Sequence, residues 1–235
     1  MIRNIWVRWA LGIALGLFIT VVPFVYFRMS YEYQKRLRVV TPGKFYRSGC
    51  MTAAGLAEAI KTYGIRTVIN LMEEAPDPVL HPHYFAPASV KESELVAKCG
   101  ARYVTLTVEY LPRNQARTHR PATIERYLEI LDEPSSYPVL IHCKAGLHRT
   151  GVLVGLYRME YEGWTKDAAL AEVRDNGFGE FAATSANEYI QQYILNYHPH
   201  LRPGLVVERL PAVRGDLMSR PGTNDPAAYA PLPKD

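Results

Sequence analysis

Residues 142–151 read His-Cys-Lys-Ala-Gly-Leu-His-Arg-Thr-Gly, with Cys143 and Arg149 separated by five residues. A cysteine thiolate is a nucleophile, and an arginine offers a planar fork that holds two oxygens of a phosphate at once. Five residues suffice to wrap the backbone into a cup whose N–H groups converge on one point. The stretch follows the apolar run Pro138-Val139-Leu140-Ile141, short enough for a buried strand, and precedes Val152 to Met159, which continues as a helix. Strand, tight loop and helix therefore follow one another, and the helix N-terminus adds its positive dipole end to the cup. Such a cup suits an oxyanion, most naturally phosphate. Cys143 lies at its base, where the dipole and the neighbouring cation favour the thiolate. Gly146 can take the positive φ that a tight loop needs, and Gly151 lets helix and strand approach closely.

A zinc site built from His142, Cys143 and His148 is a poorer reading, because no second cysteine pair or fourth ligand accompanies them. No metal and no cofactor is expected.

The pattern His-Cys, five residues, Arg, then Thr-Gly resembles the signature of the cysteine-dependent protein tyrosine and dual-specificity phosphatases. The resemblance extends over roughly Val39 to Tyr197. Tyr46-Arg47-Ser48-Gly49 and Val68-Ile69-Asn70-Leu71 look like the compact dual-specificity branch. It implies that Cys143 attacks phosphorus and carries a phosphocysteine, that Arg149 binds substrate and the equatorial transition-state oxygens, and that Thr150 hydrogen-bonds the thiolate. His142 would orient the loop from behind. Lys144, Ala145, Gly146, Leu147, His148 and Arg149 would form the phosphate-binding loop, with His148 adding charge when protonated. In this family the general acid is normally an aspartate upstream of the cysteine, yet none occurs between Ala101 and Leu131. Glu109 stands near the family's usual separation and is the candidate acid, with Asp77 as an alternative. Arg47 reads as a structural ion pair or strand-end residue more than as a phosphate contact. Cys50 reads as a small buried apolar residue more than as a resolving thiol.

The elements that must position this loop can be traced from local pattern. Val39 to Ser48 suits a short hairpin. Thr52 caps a helix over Ala53 to Tyr63 that Gly64 stops. Ile65 to Leu71 is β-branched and strand-like, Val90 to Cys99 helical, Ala101 to Glu109 strand-like, and Pro121 opens a helix ending near Leu131. Thr165-Lys166-Asp167 begins a helix reaching Arg174, and Ala182 to Tyr197 gives another. Strands alternating with helices predict an α/β fold with a mostly parallel central sheet flanked by helices, as in dual-specificity phosphatases. The Cys143 loop then lies at a carboxyl strand end, where open α/β sheets bind ligands.

The 235 residues accommodate one mid-sized domain with an anchor and a tail. Trp9 to Phe27 carries no charged residue and would span ~28 Å as a helix, close to a bilayer core of ~30 Å. No small-residue cleavage site follows it, so it reads as an uncleaved transmembrane helix. Arg28, Lys35, Arg36 and Arg38 follow the span closely, which predicts a single-pass membrane protein with a cytoplasmic catalytic domain. The expected organisation is a membrane anchor over residues 1–30, a juxtamembrane linker over 31–38, a phosphatase domain over 39–198 and a Pro-rich tail over 199–235. Three scattered cysteines exclude a disulfide framework, and a formal charge of +4 gives no reason to expect a nucleic-acid partner. The partners expected are a phosphorylated protein, or a phospholipid, and the membrane through residues 9–27. Lys144-Ala145-Gly146 resembles phosphoinositide phosphatases, but Leu147 stands where those enzymes usually carry a second basic residue. A tethered, inactive phosphate-binding module is the reading from another class.

Overall fold

The computed structural model describes residues 2–74, 91–107, 121–178 and 191–200. The apolar run lies within helix α1 (Ile2–Phe27), which continues as a π-helical stretch over Arg28–Tyr33. Strands β1 (Arg38–Thr41) and β2 (Phe45–Ser48) form the expected hairpin. They are followed by α2 (Ala53–Tyr63), β3 (Thr67–Asn70), α3 (Glu92–Lys98) and β4 (Arg102–Thr105). Helix α4 (Ala122–Asp132), a 3₁₀ turn at Pro134–Ser136, β5 (Val139–His142), α5 (His148–Glu162), α6 (Lys166–Asp175) and α7 (Gln191–Leu195) complete the described chain.

Local chemistry sets several boundaries. The Thr52 hydroxyl accepts from the Gly55 N–H at 3.1 Å, and Gly64 ends α2 at φ 59°, a left-handed conformation that glycine adopts without steric cost. Thr165 caps α6 in the same way through the Ala168 N–H at 3.2 Å.

The five strands lie in the order β1-β2-β5-β3-β4, with β1 antiparallel to β2 and every other pair parallel. The fold is thus α/β, with a mostly parallel sheet between helices. Strands β2, β3 and β5 are buried along their whole length, as parallel strands covered on both faces must be. Alternation divides their side chains between two cores. Phe45, Ile69, Val139 and Ile141 pack with Tyr127 of α4 and Leu153, Leu156 and Tyr157 of α5. Tyr46, Val68 and Leu140 pack on the other face with Leu56 and Ile60 of α2 and Val96 of α3. Leu140 is fully buried at the centre of this sheet, where truncation to alanine costs about 2–5 kcal/mol.

Two segments outside the sheet make defined contacts. In the polar stretch 31–38, Tyr33 Oη donates to Glu58 at 2.7 Å, the Gly49 N–H donates to the Lys35 carbonyl at 2.7 Å, and Leu37 packs against the α2 core. The Arg36 side chain finds a carbonyl acceptor on the domain, which composition alone does not reveal. Secondly, the start of the Pro-rich tail is tied down, since the His200 N–H and ring Nδ1 meet the buried Glu160 carboxylate at 3.1 and 2.9 Å. Glu109, Asp77, most of the Ala182–Tyr197 helix and the tail beyond residue 200 lie outside the described residues.

Candidate active site

Strand β5 delivers the chain to Cys143 and α5 takes it away from His148, so residues 143–147 must reverse direction within one short loop. Its carbonyls are held from behind. The Cys50 N–H donates to the Lys144 carbonyl at 3.2 Å, Arg36 Nη1 to the Ala145 carbonyl at 3.1 Å, and Arg47 Nη2 to the Gly146 carbonyl at 2.8 Å. In a planar trans peptide the N–H points opposite to the carbonyl, so pinning these oxygens outward turns the next residues' amides inward. The Gly146 N–H accordingly donates to Cys143 Sγ at 3.3 Å. Gly146 has φ 74°, and a Cβ there would stand 2.6 Å from the Ser48 carbonyl and the Gly49 nitrogen. Glycine is required on both counts. Gly151 is less constrained; a Cβ would meet Val173 at 3.4 Å and the Arg47 guanidinium at 3.6 Å.

Cys143 is buried at the floor of the loop, at the N-terminal end of α5, where the helix dipole and inward amides favour negative charge. Arg149, in the first turn of α5, donates through Nη1 to the Leu71 carbonyl at 3.0 Å, which fixes its guanidinium against the end of β3. Lys144 is exposed, and Leu147 turns into the core.

Behind the nucleophile lies a buried polar chain. His142 Nε2 is 2.6 Å from Glu92 Oε1, Asn70 Nδ2 donates to Glu92 Oε2 at 3.0 Å and to Tyr103 Oη at 2.9 Å, and Asn70 Oδ1 accepts the Met72 N–H at 2.9 Å. His142 thus braces the loop from below through a partner the sequence reading missed. A glutamate in the first turn of a short helix reads as an ordinary dipole-compensating residue, and nothing local marks Glu92 as buried. Burial, then the Glu92 charge, pushes the Tyr103 phenol up to about 12, so it stays protonated.

Two further residues differ from expectation. The hydroxyl of Thr150 is buried and makes no hydrogen bond, so the expected bond to the Cys143 thiolate is not formed; the Gly146 amide occupies that role. His148 packs edge-on against Phe178, and burial followed by the Arg149 charge lowers its pKa below the ordinary histidine value, which removes it as a source of positive charge at neutral pH. Arg47 is a buried residue of β2. It is 3% exposed, its pKa is lowered to about 10 chiefly by burial, and it remains a cation that holds the Gly146 carbonyl. Cys50 is buried against Ala53, Met72 and Leu95.

The family model described as DSP-PTPase phosphatase fused to NAD+ Kinase matches residues 24–190, most of the chain. The chain belongs to this DSP-PTPase phosphatase family. A 43-residue stretch is 51% identical to the dual specificity protein phosphatase TpbA of Pseudomonas aeruginosa, covering 18% of this chain and 20% of that one. This match therefore spans only about a fifth of the relative's length. A longer match, 29% identical over 130 residues, relates 55% of the chain to 73% of the putative tyrosine-protein phosphatase OCA1 of Mycosarcoma maydis. Among solved structures, the catalytic core of the PP-IP phosphatase SIW14 of Saccharomyces cerevisiae superposes with a TM-score of 0.50 at 20% identity, covering 71% of this chain and 87% of that one. A putative phosphatase from Shewanella putrefaciens gives a TM-score of 0.52 at 20% identity, covering 74% and 97%. At such identities the two structures share the fold with this DSP-PTPase member.

Proposed function

We propose that the protein hydrolyses phosphomonoesters of phosphotyrosine, phosphoserine and phosphothreonine proteins through a phosphocysteine on Cys143. The observation that carries this reading is the Gly146 N–H donating to Cys143 Sγ at 3.3 Å, at the N-terminal end of α5 and beside Arg149. In the first step the S–P bond forms as the ester P–O bond breaks, and the leaving oxygen takes a proton from an acid, for which Glu109 is the candidate. Water then attacks phosphorus, giving a proton back to the carboxylate left by the first step, the S–P bond breaks, and inorganic phosphate leaves with the thiolate restored. Inward amides and Arg149 stabilise charge on the equatorial oxygens in both steps.

Helix α1 supports a membrane location: its side chains from Ile5 to Phe27 are solvent-exposed, and the apolar segment has a mean hydropathy of 2.3. Such a helix gains ~25 cal/mol per Å² on leaving water. The basic residues that follow it favour a single-pass arrangement with the catalytic domain on the cytoplasmic side.

A second reading takes phosphoinositides or inositol phosphates as substrate. Exposed Lys144 within the loop favours it, and relatives include the inositol diphosphatase DSP3 of Arabidopsis thaliana, 29% identical over 131 residues. The test is a panel of initial rates without added metal, using full-length protein in detergent against phosphotyrosine, phosphoserine and phosphothreonine peptides, phosphoinositide vesicles and diphosphorylated inositol. Fastest kcat/KM on peptides supports the first reading, and fastest on lipid or inositol the second. Tight vanadate binding with no turnover of any substrate would instead identify a phosphate-binding module.

A further inference from the structure

The Ala145–Gly146 peptide unit is gripped at both ends. Arg36 Nη1 donates to its carbonyl at 3.1 Å, and its N–H donates to Cys143 Sγ at 3.3 Å. Because the unit is planar, the direction of the carbonyl sets that of the N–H. A guanidinium on the carbonyl also polarises the amide and makes its N–H a stronger donor to negative sulfur.

Arg36 reaches this carbonyl only because the chain before β1 is bent into an unusual shape. Lys35 and Arg36 have φ of 41° and 57°, successive left-handed conformations that non-glycine residues avoid. Contacts on both sides hold them. The Arg36 N–H donates to the Ser30 carbonyl at 3.0 Å, its guanidinium lies 5.2 Å from the Tyr31 ring centroid, and the Lys35 carbonyl accepts the Gly49 N–H at 2.7 Å. The Tyr33 carbonyl sits where a Cβ on Gly55 would be, 2.1 Å from it. Strain kept in place by surrounding structure beside a nucleophile motivates a functional reading.

We propose that Arg36 is a positioning residue for the Cys143 nucleophile, acting through the Ala145–Gly146 peptide, and that residues 28–37 thereby link the apolar helix to the phosphate-binding loop. Its meaning for turnover rests on the phosphatase reading; its effect on the thiolate does not. Among the described residues, the other charged or titratable groups around the loop are Lys35 before β1, Arg47 from β2, Cys50 after it, Glu92 from α3, His142 from β5, Lys144 in the loop, and His148 and Arg149 from α5. Arg36, like the neighbouring Lys35, comes from the segment adjoining α1, and it is Arg36 that hydrogen-bonds a loop carbonyl.

The test uses full-length protein in detergent and follows iodoacetamide alkylation of Cys143 by peptide mass spectrometry from about pH 5 to about pH 8, alongside kcat and KM for p-nitrophenyl phosphate. R36A is expected to slow alkylation about tenfold below neutral pH, and to lower kcat more than it changes KM. R36K, which keeps a cationic donor, is expected to recover most of both. G55A leaves Arg36 intact but drives the Tyr33 carbonyl off α2, and is expected to reproduce the R36A profile. Alkylation of R36A at the wild-type rate overturns the proposal, as does an R36K profile that stays with R36A. A wild-type rate in G55A overturns the link to the segment. If no variant turns over a phosphomonoester and R36A still slows alkylation, the phosphatase reading fails and the positioning role stands.

Discussion

Glu92 Oε1 lies 2.6 Å from His142 Nε2, with the two side chains 5% and 3% exposed. The pair joins the first turn of α3 to the last residue of β5, immediately before the nucleophile, and Asn70 at the end of β3 satisfies the second carboxylate oxygen. Three elements therefore meet at one carboxylate directly beneath the Cys143 loop.

Removing one partner of a buried hydrogen-bonded pair strands the others without water, which costs about 3–5 kcal/mol. Glu92→Ala is expected to lose that much in urea denaturation, and Glu92→Gln less, because the amide keeps the volume and one acceptor. A loss below about 1 kcal/mol for Glu92→Ala would show that the pair does not brace the loop.

Cys143→Ser removes the nucleophile and leaves the amide cup, so hydrolysis disappears while phosphate or vanadate binding persists. Arg149→Lys keeps the charge but not the planar fork, and a fall in kcat on the order of 100-fold is expected. Steady-state rates with vanadate titration check both, and full turnover by Cys143→Ser would exclude the phosphocysteine.

His148 has a depressed pKa in the folded state, from burial and then from Arg149. A base so shifted contributes its full stability above the unfolded value and loses it as pH falls through the folded value. Stability should therefore drop as pH falls below the ordinary histidine range, and His148→Asn should flatten part of that fall. Chemical denaturation at several pH values measures the difference, and identical slopes would sink the assignment.

Glu109 as general acid makes a leaving-group prediction. Glu109→Gln should slow aryl phosphates with poor leaving groups far more than activated ones, and remove the alkaline limb of the kcat profile. Equal small losses across the series would place protonation elsewhere, with Asp77 the next candidate.

Helix α1 should hold the full-length protein in membranes through carbonate extraction, while deletion of residues 1–27 should release a soluble domain that keeps Arg36. Recovery of the full-length chain in the soluble fraction would refute the anchor. Protease protection of the C-terminal tail in sealed vesicles reports the orientation.

The sequence by itself determined what is written within a few residues. The Val139–His142 strand, the turn requiring Gly146 and the helix through Met159 were legible together, as were the Thr52 and Thr165 caps and the stop at Gly64. Capping, periodicity and loop chemistry act over one or two turns, so their signals stay contiguous in the chain. The tertiary structure alone decided which distant side chains complete the loop. Glu92 pairs with His142 across 50 positions, Arg47 with Gly146 across 99 and Arg36 with Ala145 across 109. The first two pairings exist because β5 lies between β2 and β3, which brings the end of β2 and the start of α3 to the two sides of the Cys143 loop, and the third because the bend before β1 is held against Gly49. A surface-looking arginine or a first-turn glutamate acquires its role only once that strand order removes it from water.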